Sequence, residues 1–152
     1  MYTFVVFLHI AAAILWVGGA LFGHIVGTRL AAGSDDAATA GYLSQVEWSG
    51  LRLFTPASLV VLAAGIYMVW DNDAWSFGQT WIWLTLAIYA VSFILGAGYL
   101  GPTSGKLVKV MEERGPSDPE YKDIVQRILT VSRVDTVLLL TIVVLMVWKP
   151  GA

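Results

Sequence analysis

The stretch Thr3 to Arg29, TFVVFLHIAAAILWVGGALFGHIVGTR, decides the fold. It carries no Asp, Glu or Lys, and its only Arg closes it. A helix needs about 20 apolar residues to cross the hydrocarbon core of a bilayer, and this run exceeds that. It lacks the basic n-region of a secretory signal and is longer than an h-region, so it reads as a membrane span. It also holds both histidines of the chain, His9 and His24. An ionisable group inside a span is costly and calls for a partner, a ligand or a watered cavity.

On a helix, His9 and His24 are separated by about 22 Å of rise and roughly 60° of rotation, which puts one in each leaflet on neighbouring faces. Beneath His9 the helix surface is small: Ala12, Ala13, Ala20 and Gly27 lie near its face, and Trp16 alone is bulky. Gly19, Gly23 and Gly27 recur every four residues, the spacing that lets another helix or a flat ligand approach the backbone. Membrane tryptophans normally collect at the interfaces, where the indole N–H meets water. Trp16 sits at mid-span, which predicts burial against protein or ligand.

With 57% hydrophobic and 13% charged residues among 152, the composition is that of one integral membrane domain, residues 1–152. Three more spans follow, giving four at roughly 3–29, 53–71, 80–101 and 128–148. The last is long enough only if it begins near Ile128 and takes in Arg133 and Asp135. Arg29, Arg52, Lys106, Lys109, Arg114, Lys122, Arg127 and Arg133 lie in or beside the first and third connections. Lys149 alone is on the other side. The positive-inside rule then predicts an all-α, four-helix bundle with both termini outside the cytoplasm. Tyr2, Trp70, Trp75, Trp81, Trp83 and Trp148 form its outer aromatic belt.

The cytoplasmic connections read as short helical extensions. Ser34 is a candidate cap for a surface helix through Ala37 to Val46, ending near Ser49 and Gly50. Ser117 and Glu120 have capping-box spacing, with Pro119 at the helix start, and Gly115-Pro116 separate that helix from the extension KLVKVMEER. Pro56 leaves a carbonyl without its donor, which predicts a kink near His24. Arg133 is expected to snorkel, and Asp135 to pair with Arg52 or another base of the inner rim.

Depth groups the remaining chemistry. His9 falls about 9 Å inside the outer end of its span, and Met68 and Met146 each lie two residues inside an outer tryptophan. An imidazole with two thioethers suits a haem iron or a soft Cu(I) ion. The sequence has no Cys, no paired-histidine zinc motif, no glycine-rich phosphate loop and no nucleophile beside a histidine. Its basic residues alternate with acids, which argues against nucleic acid. No catalytic acid or base is identifiable, so activity as a haem-dependent membrane oxidoreductase stays open.

The opening FLHIAAAILWVGGALF, with His9, Trp16 and Gly18-Gly19, resembles the first-helix signature of a bacterial membrane superfamily. This includes CopD-type copper-resistance proteins, HemJ-type protoporphyrinogen oxidases and the family called domain of unknown function 2269. The closing LMVWKPG, Leu145 to Gly151, is similar to the Met-Val-x-Lys-Pro ending of that last family. Length and four-span layout agree with it over the whole chain. The HemJ resemblance implies haem b on His9, although HemJ-type proteins also use a lysine in a later span and this chain has no lysine in any span. The CopD resemblance implies copper passage across the inner membrane, again at His9.

Together these readings predict an inner-membrane haem b protein with a redox or electron-transfer role. Its cofactor set is His9 and His24 as metal ligands with Trp16, Gly19, Gly23, Met68 and Met146 around them. A homodimer along Gly19, Gly23 and Gly27 would supply further ligands, and a redox partner is implied. The alternatives are copper at His9, Met68 and Met146, and a non-catalytic subunit whose glycine face docks a partner helix.

Overall fold

The computed structural model describes residues 1–33 and 35–151, and its regular structure is helical throughout. Four helices are long and apolar enough to cross a membrane: α1 (Tyr2–Ala31), α2 (Asp36–Trp70), α3 (Thr80–Arg114) and α4 (Pro119–Trp148). α1 packs along α2 and α4, α3 packs along α4, and the basic-end parts of α2 and α3 lie against each other. Most of each span faces outward with apolar side chains such as Phe4, Ile14, Leu59 and Val144, as lipid contact requires.

Two cores result. The one within the apolar layer is built from Trp16, Ala57, Val61, Tyr89, Leu139 and Ile142. The second, at the basic end, joins Leu43, Leu107, Val110, Tyr121, Ile124, Val125 and Ile128. The helical extensions therefore form a packed layer of their own. Glu120 ties that layer at its surface, with Lys106 and Arg114 each 2.6 Å from its carboxylate.

The end groups of the helices differ in part from expectation. Ser34 lies outside the described residues; the α2 cap is Asp35, whose carboxylate accepts from the Ala38 N–H at 2.9 Å. At α4 the cap is Asp118, accepting from the Glu120 N–H at 2.8 Å, so Ser117 does not close the expected box. Gly115 does end α3, with φ at +77°. That left-handed backbone suits a residue without a Cβ.

The surface helix does not stop at Gly50 but continues as α2 through a wide turn, Gly50–Phe54. Here the Thr55 N–H reaches back five residues to the Gly50 carbonyl. α3 has the same device over Ile94–Leu100, where the Gly101 N–H reaches the Gly96 carbonyl. Each wide turn ends two residues before a proline, Pro56 or Pro102. A proline ring collides with the carbonyl four residues back, and one extra residue in the turn moves that carbonyl aside. The helices thus pass their prolines without a break and leave a gap at the same level.

Candidate functional site

That gap is a cavity of about 330 Å³ to which all four helices contribute. Gly50, Leu51 and Phe54 line it from the first wide turn, and Gly96, Ala97 and Leu100 from the second. Pro56 lies beside the first wide turn, and His24, near which a kink is expected from the sequence, lines this cavity. The walls are mainly apolar, with a few polar groups and no Lys or Arg among the lining residues.

α4 presents the polar groups in order. Ser132 and Asp135 are three residues apart and share one face of the helix. Ser132 is 2.9 Å from His24 Nδ1, and Asp135 accepts a hydrogen bond from the Ser92 hydroxyl of α3. Asp135 is only 6% exposed. The expected pairing of Asp135 with Arg52 does not form: the carboxylate faces into the bundle, and its partner is a serine from the neighbouring helix. Ser104, nearer the basic end of α3 and 1% exposed, also lines the cavity, and its hydroxyl has no hydrogen-bond partner among the described residues.

His9 lies elsewhere, in the groove between α1 and α2. Its Nδ1 is 2.9 Å from the Val61 carbonyl. A Cβ on Gly65 would lie 3.4 Å from the imidazole, in van der Waals contact, so the ring rests on α2 at this glycine with no room for a larger side chain.

The tautomers follow from the partners. A carbonyl only accepts, so His9 Nδ1 carries the proton that it donates to Val61. The Ser132 hydroxyl spends its own proton on the Leu129 carbonyl at 3.1 Å, so it too accepts, and His24 Nδ1 is the donor. In each neutral ring Nε2 then holds a lone pair. Among the described residues neither Nε2 has a partner.

Trp16 is buried as expected, 8% exposed, with its ring 5.4 Å from that of Tyr89 in an edge-on arrangement. The Tyr89 hydroxyl continues to the Ser58 carbonyl at 3.1 Å. Met68 is buried on α2, and Met146 packs against the Trp16 core.

The glycine face is occupied from within the chain. A Cβ at Gly19 would overlap the Phe54 ring, and one at Gly23 would sit 3.2 Å from the Tyr42 hydroxyl. Tyr42 donates that hydroxyl to the Gly23 carbonyl at 2.7 Å and covers Gly27 with its ring edge. The close approach predicted by the spacing is real, but α2 makes it. A second copy or a partner helix could use Gly19, Gly23 and Gly27 only by displacing Phe54 and Tyr42.

No three His, Cys, Asp or Glu side chains converge among the described residues, so a copper site would rest on the thioethers. Sequence reasoning missed Ser92, Ser104 and the wide turn before Pro102. Pro102 was the available signal, since it repeats the Thr55-Pro56 arrangement as Gly101-Pro102.

Four apolar helices enclosing a mostly apolar cavity with a few convergent polar groups define a multi-span integral membrane protein with an internal cavity. The chain belongs to the family of predicted integral membrane proteins DUF2269, whose profile matches residues 3–150. No curated protein and no solved structure matches it.

Proposed function

We propose that the protein binds b-type haem through His9 Nε2 and serves a redox role in the bacterial inner membrane. The observation that carries this reading is the anchored imidazole. With Nδ1–H committed to the Val61 carbonyl, His9 offers an oriented Nε2 lone pair inside the apolar layer. Metal-ligating histidines are typically held through their other ring nitrogen in this way, which fixes the ring and raises its basicity. An unpartnered lone pair in hydrocarbon is also unfavourable, and an iron ligand bond would relieve it.

His24 has the same tautomer but different surroundings. Its cavity holds a buried carboxylate and no Lys or Arg among the lining residues, a poor match for two anionic propionates. The donor chemistry thus fits haem at His9 better than at His24. When bound there, haem would supply one-electron chemistry. The chain's own contribution is to orient the imidazole through Val61 and to rest it against α2 at Gly65.

Metal analysis of the protein purified from a haem-replete host tests the reading. Iron at a fixed ratio to protein, lost in His9→Ala and retained in His24→Ala, is the expected result. Copper in place of iron, or iron that survives His9→Ala, would overturn it.

A further inference from the structure

The cavity between the two wide turns contains a buried acid, has no Lys or Arg in its lining and has aromatic walls. Asp135 lines it, fixed by the Ser92 hydroxyl, and among the described residues no ion pair includes Asp135. A carboxylate in the apolar layer is expensive, and a cation is the partner that offsets the cost. Trp16, Tyr42, Phe54 and Phe93 line the same space. Aromatic faces attract cations, most strongly where water is excluded.

The route of entry is set by exposure. Phe22, Gln45 and Leu51 are the exposed residues among those lining the cavity, and they belong to α1 and α2. Phe22 is 68% exposed and Leu51 58%. The cavity therefore opens sideways between these helices, past two apolar side chains, toward the lipid. A ligand arriving this way must itself partition into the bilayer. Small hydrated metal ions fail that condition, and anions fail the charge.

We propose that this cavity is a binding site for lipophilic organic cations, with the Asp135 carboxylate as counter-ion and the surrounding aromatic rings as its walls. The site is separate from His9 and does not depend on haem being bound there.

The test is a titration of the detergent-purified full chain with tetraphenylphosphonium, followed by calorimetry. Saturable binding is expected, weakened about a hundredfold or more in Asp135→Asn, the scale of removing one partner of a buried ion pair. Asp135→Glu should restore it in part. Gly96→Leu keeps Asp135 and fills the cavity, because nothing stands within 4 Å of a Cβ at Gly96; it should also abolish binding. Neutral triphenylphosphine oxide should bind weakly or not at all, and His9→Ala should leave the cation titration unchanged. The proposal is overturned if the cation does not bind to monodisperse wild type, if Asp135→Asn and Gly96→Leu both bind it as wild type does, or if the neutral probe binds equally well.

Discussion

Tyr42 of α2 donates its hydroxyl to the backbone carbonyl of Gly23 in α1, at 2.7 Å. That single bond shows what the glycine spacing of α1 is for. A carbonyl already inside a helix gains a second donor, and the phenol ring lies flush on a surface with no side chain to hold it off. The Phe54 ring packs flush on Gly19 one helical turn away, without a hydrogen bond of its own. The small-residue stripe is an internal seam between α1 and α2.

The seam predicts a contrast between adjacent glycines. Gly19→Ala places a methyl in the Phe54 ring and should destabilise the fold by about 1–3 kcal/mol, the usual cost of overpacking. Gly18→Ala meets nothing within 4 Å and should leave stability unchanged or raise it by about 1 kcal/mol through helix propensity. Thermal unfolding of the two variants in one detergent reads the difference. Equal midpoints would show that α1 and α2 do not pack as described.

Ser92 and Asp135 join α3 to α4. Ser92→Ala leaves a buried acceptor without its donor and should cost about 1–3 kcal/mol. Ser92→Thr keeps the hydroxyl and should lose much less. Chemical denaturation followed by circular dichroism distinguishes the two, and equal losses would mean that volume, not the hydrogen bond, matters at this position.

At the opposite end Lys149 closes α4 in the left-handed region, φ 43°, with its ammonium 4.5 Å from the Trp75 ring and 5.7 Å from that of Trp81. The following turn brings Gly151 against Thr80. Lys149→Met retains the chain length and removes the charge, and should cost about 0.5–2 kcal/mol at this half-buried site. Lys149→Gly should lose less, because relief of the positive φ offsets the lost cation. A thermal shift that ranks Met below Gly would agree with this; the reverse order would place the stabilisation in the lysine stem.

Much of the fold was legible because lipid imposes a simple demand. Every span had to be a run of apolar residues, and four such runs could be read by counting. Trp16 announced its burial by its depth. The rest depended on partners distant in the chain. Asp135 read as a rim residue because nothing near it in sequence shows Ser92 waiting on α3, 43 residues away. Gly50 and Pro56 read as the end of one helix and a kink in the next, whereas the wide turn carries both in one rod. The glycine stripe announced a close neighbour without naming it, and His9 and His24 looked alike until Val61 and Ser132 gave them different settings.

The His9 contact to α2 supplies a further expectation. Gly65→Val adds bulk where the ring rests and should lower haem content with the protein still folded, while Gly41→Ala, with nothing within 4 Å, should not. Haem extraction from matched preparations measures this. Undiminished haem in Gly65→Val would detach cofactor binding from the geometry of the His9 ring.

The most direct test of the central claim is the absorption spectrum of the purified protein, oxidised and then reduced with dithionite, beside that of His9→Ala. The account predicts a Soret band with resolved α and β bands on reduction in the wild type, and their loss in the variant. A colourless wild type, or a spectrum that His9→Ala leaves intact, would contradict it.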